Sequence, residues 1–417
     1  MSSHDRSQLR LASILGPVLL LGVLGCREGG DSPMAPGTTA ASATSAAIAL
    51  VFHQLSGGDA HTCGVTTDNR AFCWGSSLFG QLGDGSTTNR NTPVAVAGTV
   101  RFRQVSAGSH HTCAVTANDR AYCWGYGSEG ELGNGPPAKY LTPVPVAGGR
   151  RFRQVSAGLS HTCGVASDNR AFCWGRNGEG QLGDGTDSRR FTPVAVAGGH
   201  RFRHVSAGQL HTCGVTTSDR VLCWGWNHEG QIGDGSTASR RLTPTRVAGS
   251  RRFRQVDAGS SFACAVTTDE RAYCWGGIGV GEIGDGETRR RLRPTAVAGG
   301  LLFSRVTAGR HHACGETPTN RTHCWGWNLE GAVGDGTKMM RTTPVPVAGG
   351  LFFSQVSAGD VHTCGRTPAG VAYCWGWFGS GRLGTDIPGE HLTPVPVAGT
   401  EQSSATSQQR TPVAPGS

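Results

Sequence analysis

The sequence predicts an all-β protein, a seven-bladed β-propeller built from repeats of about 50 residues, and three observations carry the prediction. Of 417 residues, 65 are Gly and 20 are Pro while 37% are hydrophobic, a composition that suits short strands and tight turns. A cysteine pair recurs at even intervals: the first members are Cys63, Cys113, Cys163, Cys213, Cys264, Cys314 and Cys364, with steps of 50, 50, 50, 51, 50 and 50 residues. Each of these seven units reads as β-type segments separated by Gly, Asp and Asn turns, and no stretch of the mature chain has helical periodicity. Length alone would suggest two or three domains, but repetition overrides that prior, because seven blades of four strands close a ring without open sheet edges.

Along the chain, residues 1–25 carry two Arg and the apolar run "LASILGPVLLLGVLG", too short for a membrane span and suited to a signal peptide. The end "VLGC" looks like a bacterial lipobox, with Gly25 at the cleavage position and Cys26 as the lipid acceptor. Residues 26–50 then form a flexible Ser/Ala/Thr/Pro tether, residues 51–399 the propeller, and residues 400–417 a disordered polar tail. Arg27 follows the cysteine where an inner-membrane retention signal would show Asp, which favours the outer membrane or cell surface.

Export resolves the cysteine arithmetic. Apart from Cys26, the 15 cysteines fall into seven pairs: Cys63 with Cys73, Cys113 with Cys123, Cys163 with Cys173, Cys213 with Cys223, Cys264 with Cys274, Cys314 with Cys324, and Cys364 with Cys374. In a hairpin centred on Asp68, Cys63 lies opposite Cys73, at a separation a disulfide accepts. Closing such a loop contributes at most ~3 kcal/mol per blade. Nine intervening residues match no common zinc spacing, and no metal or other cofactor is expected. Six units place a histidine two residues before the first cysteine (His61, His111, His161, His211, His312, His362); a ring spreads such positions apart, so hydrogen bonding to neighbouring backbone explains them better than a metal. The tryptophans of "CWG", Trp74 through Trp375, are expected to pack in the core or between blades. The acidic residue of "GDG" (Asp84, Asp184, Asp234, Asp285, Asp335, with Asn134 in the second unit) is foremost a turn former. Because the chain shows no GxSxG, HExxH or Walker A motif, catalysis is not expected.

At "VSAGxxHTCGVT…AYCWGxNxxGQLGDG" the chain resembles the RCC1-repeat (regulator of chromosome condensation-like) family of seven-bladed propellers, here as an exported bacterial lipoprotein, over residues 51–399. The Gly-Gly doublet and spaced Tyr and Trp of a kelch blade are missing. Two units depart from the pattern: the fifth has Phe262 for His and "GGIGVGEIGDG" after its Trp, and the seventh has "GRLGTD" for "GQLGDG". The resemblance implies guanine-nucleotide exchange on a small GTPase, which export disfavours. It also implies inhibition of a secreted enzyme, as in RCC1-like propellers that bind β-lactamase.

Scaffold residues recur whereas recognition residues need not, so the variable loops are the candidate binding face. After "CWG" stand Tyr126, Arg176, Trp226, Trp327 and Trp377; beyond "GDG" stand basic residues including Arg240, Arg241, Arg289, Arg290 and Arg291. Trp and Arg are enriched in interface hot spots. Without residues 1–25 the chain has 36 basic and 28 acidic residues, which favours an anionic partner. The expectation is a non-catalytic monomer held to the membrane by its lipid, recognising an extracytoplasmic protein or anionic glycan and no nucleic acid. A structural envelope protein is the further alternative.

Overall fold

The computed structural model describes residues 49–400; the signal segment, Cys26, the tether to residue 48 and the tail from 401 lie outside the described residues. The described chain forms seven four-stranded antiparallel sheets, each of four consecutive strands. In the first blade these are β1 (Phe52–Gly57), β2 (His61–Thr66), β3 (Ala71–Gly75) and β4 (Arg90–Ala95). β1 and its six counterparts contact one another around a central channel, and β4 is outermost. Strand direction then sorts the connections. The β1–β2 and β3–β4 loops of every blade emerge at one end, termed the loop end, and the tight β2–β3 turns and blade-to-blade connections at the other.

The core is divided among seven junctions between blades. At the first, Cys63, Val65, Cys73 and Leu82 pack against Phe102, Val105 and Trp124 of the second blade. At the last, Cys364, Cys374 and Leu383 pack against Phe52, Leu55 and Trp74 of the first.

Every expected pair of cysteines is joined. Cys63 is bonded to Cys73, Cys113 to Cys123, Cys163 to Cys173 and Cys213 to Cys223. Cys264 is bonded to Cys274, Cys314 to Cys324 and Cys364 to Cys374. The two members stand directly opposite each other in register, as Cys63 does to Cys73 and Cys163 to Cys173. Their Cα atoms are 4.0–4.1 Å apart in all seven blades. Each disulfide staples its own hairpin and also fills the core against its neighbour's Phe and Trp. Seven buried disulfides point to an oxidising, extracytoplasmic environment.

The "FRQVSAG" run of the first strand builds three sets of bonds around the channel. The amide after each "AG", or "GG" in blade one, donates to the glycine carbonyl of the next blade, from Asp59 to Gly108 (3.2 Å) round to Asp360 and Gly58 (3.2 Å). A Cβ on Gly58 would lie 2.3 Å from the Gly108 oxygen, so only glycine allows this approach. The Ser hydroxyl of the same run accepts the next blade's Ala amide, as Ser56 does from Ala107 (3.0 Å), with Asp257 and Thr307 serving in blades five and six. The Gln side chain reaches across as a strand would: Gln54 accepts from the Val105 amide and donates to its carbonyl, both at 2.8 Å.

The ring closes with no strand exchanged between ends. Leu50 N donates to Gly399 O (2.7 Å), Phe52 N to Gly370 O (2.9 Å), and the Trp74 indole to Arg382 O (3.0 Å). The seventh unit's "GRLGTD" leaves the fold intact because the backbone carbonyl of Arg382 replaces that of the usual Gln. Its buried guanidinium also reaches back to the Asp59 carbonyl (2.7 Å), tying blade seven to blade one.

Candidate interaction face

The loop end is shaped by "WGxNxxGQLGDG". Gln81 accepts an amide of its own loop (Phe79 N, 2.9 Å), its carbonyl accepts the Trp124 indole (2.9 Å) and the Thr112 hydroxyl (2.8 Å) of the next blade, and Gly83 lies flat under the Trp124 ring. All seven "CWG" tryptophans are fully buried at these junctions. Asp84 turns the loop by accepting from Ser86 N (2.9 Å) and then pairs with Arg90 at the start of β4 (2.9 Å). Burial raises its pKa, but the Ser86 and Arg90 hydrogen bonds outweigh that and hold the carboxyl below its ordinary range; the same holds for Asp184, Asp234 and Asp335. Asp and Arg are lost together, in blade two as Asn134 and Tyr140 and in blade seven as Thr385 and His391.

The histidines bond between blades, to a side chain where backbone was expected. His61 Nε2 meets Thr112 Oγ1 at 2.8 Å, and His111, His161, His312 and His362 repeat the contact at 2.8–2.9 Å. The Thr hydroxyl donates onward to the Gln81-type carbonyl, so the histidine must donate from Nε2. Burial keeps these imidazoles neutral, pushing His61, His111, His161 and His312 down to about 3 and His211 to about 4. At the fourth junction Ala263 replaces Thr and neither nitrogen of His211 has a partner; at the fifth, Phe262 and Ala313 replace both members.

The slot after "CWG" lies at the loop end in every blade, since it ends or directly follows the third strand throughout. Its residues differ in environment. Tyr126 is half-buried against Phe79 of blade one (ring centroids 5.0 Å), and Trp226 is half-buried beside His228 (5.6 Å). Arg176 is exposed, the half-buried Trp327 donates to Glu330 (2.7 Å), and Trp377 is 43% exposed with the Arg382 guanidinium 4.4 Å from its ring centre. The five arginines divide by role. Arg241 and Arg291 are the partners of Asp234 and Asp285 in their own blades. Arg240 bonds Gly178 O (2.8 Å) and Arg290 bonds His228 O (3.1 Å), each reaching back to the preceding blade. Arg289 alone stands well out, near Glu287 (3.7 Å).

Sequence reasoning missed the aliphatic part of this face. Leu78, Ile278, Leu329, Met339, Met340 and Ile387 are all exposed, from 40% at Met340 to 64% at Leu78, and they share the β3–β4 loops of the loop end with Trp377, which the sequence singles out. They belong to blades five, six, seven and one, which are consecutive in the ring. Blades two to four present no large exposed hydrophobic residue there among the described residues. The readable signal was their position: each falls in the variable loop between the recurring "CWG" and the start of the fourth strand.

The chain matches the RCC1-like domain over residues 137–413 and the Regulator of chromosome condensation (RCC1) repeat over 68–115, 52–81 and 102–131. No curated protein matches it in sequence. Among solved structures, yeast RCC1 (Prp20) bound to Kap60 is similar with a TM-score of 0.71 at 18% identity, over 86% of each chain. Human WBSCR16 is similar with a TM-score of 0.67 at 19% identity, over 73% of this chain and 84% of that one. The CRINKLY WD40 ectodomain of the Arabidopsis thaliana receptor kinase ACR4 is similar with a TM-score of 0.51 at 19% identity, over 78% of this chain and 96% of that one.

Proposed function

From the premise that the chain belongs to the RCC1-like family, we propose that it is an exported, non-catalytic scaffold that binds a protein through the apolar sector of its loop end. The observation that carries this reading is the run of exposed Leu, Ile, Met and Trp side chains over blades five, six, seven and one, bordered by Arg289 and Lys338. A lone exposed apolar side chain means little, but seven, six aliphatic and one Trp, in consecutive loops of one end mark an interaction surface. Trp327 and Trp377 fall inside this sector; Tyr126, Arg176 and Trp226 lie on blades outside it and take a peripheral part. Two solved structures of one relative support a protein partner: Prp20p from Saccharomyces cerevisiae is described with its binding to Gsp1p and histones, and the same yeast RCC1 (Prp20) is seen bound to Kap60. A buried apolar centre suits a protein better than an anionic glycan, for which cations would lead, and several of this face's cations are already engaged within it.

The chain acts as a monomer on a lipid tether at Cys26, at the outer membrane or cell surface, without cofactor. Among the described residues, the repeated polar side chains of the loop end are committed to turns and junctions, which supports binding over turnover there. Affinity capture from envelope extract, comparing the wild type with the double variant Trp327→Ala and Trp377→Ala, tests the reading. A retained protein lost in the variant is expected; a retained small molecule that is chemically changed would replace the scaffold with an enzyme.

A further inference from the structure

At the end opposite the loop end, the first strands line a cavity of about 300 Å³. Around it the repeat is broken in several blades. Gln lines the third position of "FRQ" in five blades, but His204 stands there in blade four and Arg305 in blade six. On the second strand, Val in blades one to five gives way to Glu316 and Arg366 in blades six and seven, positions whose valines are fully buried. Putting charge where a scaffold uses valine is costly unless the charge is satisfied.

That charge is only partly met within the protein: Glu316 lies opposite Arg305 in register, and its carboxylate is near enough to feel both Arg305 and Arg366. Glu316 turns its carboxylate to the Val356 amide (2.6 Å), supplying the bond that Gln gives elsewhere. Among the described residues no carboxylate lies within ion-pair distance of Arg305 or Arg366. His53 Nε2, His204 Nδ1 and Arg366 Nε are buried with no hydrogen-bond partner, and all three residues line the cavity. Arg103, also lining it, is paired with Asp119 (2.7 Å). Arg153, just outside, has a buried Nε with no partner. Native proteins pair nearly all such groups, so a cluster of them around one cavity marks a missing acceptor.

We propose that this end of the channel binds a small multivalent oxyanion, a di- or tricarboxylate or a phosphate, held between Arg305 and Arg366 with His53 and His204 as further partners. Two guanidinium groups offer planar forks matched to carboxylate or phosphate oxygens, and the cavity admits a compact molecule. The site lies at the opposite end from the protein-binding sector and does not depend on it.

Calorimetric titration of the full chain with citrate and with inorganic phosphate, each against chloride at matched ionic strength, tests the proposal. Arg305→Gln and Arg366→Val restore the residues that five other blades carry, and His204→Gln does the same as a third variant, so all three are expected to fold. Saturable binding of at least one probe is expected, weakened tenfold or more by each arginine substitution and abolished by both, with the ligand-free melting temperature unchanged or higher. Preference for citrate or for phosphate identifies which oxyanion chemistry the site takes. No saturable binding of either probe, or variants that bind within twofold of the wild type, would overturn it.

Discussion

At the fourth blade junction, His211 faces Ala263 where five other junctions pair histidine with threonine. Ala263→Thr places a hydroxyl in surroundings that already hold one elsewhere: the Gln231 carbonyl that would accept from it is present and bonds the Trp275 indole (3.0 Å). The substitution adds two buried hydrogen bonds and relieves a histidine with no partner on either nitrogen. At about 1 kcal/mol net per hydrogen bond, the gain is about 2 kcal/mol. For a domain of this size that raises the melting temperature by roughly 2–4 °C per kcal/mol at most. The reciprocal change, Thr112→Ala, leaves His61 in the state of His211 and should lower stability by a similar amount. Scanning calorimetry of both variants at pH 7.5 reads the two shifts. If Ala263→Thr is neutral or destabilising while Thr112→Ala is also neutral, the His–Thr contact is not an inter-blade bond of consequence and the reasoning fails.

The same histidines predict acid sensitivity. In the unfolded chain an imidazole takes a proton near 6.5, whereas the folded one resists until about 3. The unfolded state therefore binds more protons between those values, and stability falls as pH drops from about 6.5 toward 3, by up to ~1.4 kcal/mol per histidine per pH unit. Replacing His111 by Phe, the residue blade five carries at Phe262, should flatten that slope in denaturation measured from pH 7.5 to 4.5. Non-reducing peptide maps should show seven bridges, each within a blade. Replacing Cys163 and Cys173 together by Ala should lower stability by more than the ~3 kcal/mol of loop closure, because the disulfide also packs on Phe202 and Trp224. Cys26→Ser should release the protein from membranes with the propeller still folded. Membrane retention after a high-salt wash would place the anchor elsewhere.

The architecture was legible because the period was: a cysteine pair every 50 residues fixed seven hairpins, and their opposition in register followed from hairpin geometry alone. The junctions were less legible. Gln54 and Ser56 act on Val105 and Ala107, 51 residues on, and nothing local in "FRQVSAG" shows that first strands lie side by side around a channel. The same spacing hid the target of the histidines, although the joint loss of His and Thr at Phe262 and Ala313 was there to be read. Within the candidate face, Trp and Arg drew attention as residue types. Structure reassigns Arg241 and Arg291 to turns and Arg240 and Arg290 to cross-blade ties, because a guanidinium near a sharp Asp turn finds the carboxylate first. The exposed aliphatics went unnoticed since a single Leu or Met carries no signal until the ring sets neighbouring loops side by side.

The central claim, that a sector of the loop end binds a protein, is tested most directly by measuring retained partner against two sets of substitutions. One set is Trp327→Ala, Trp377→Ala and Met339→Ser on blades six and seven; the other is Tyr126→Ala and Arg176→Ala on blades two and three. Buried interface anchors commonly cost about 2 kcal/mol or more on truncation, so the first set should weaken capture by well over tenfold at unchanged melting temperature. The second set should weaken it by less than about threefold, as energetically near-neutral rim residues do. Equal capture by both sets, or loss confined to the second, would contradict the account.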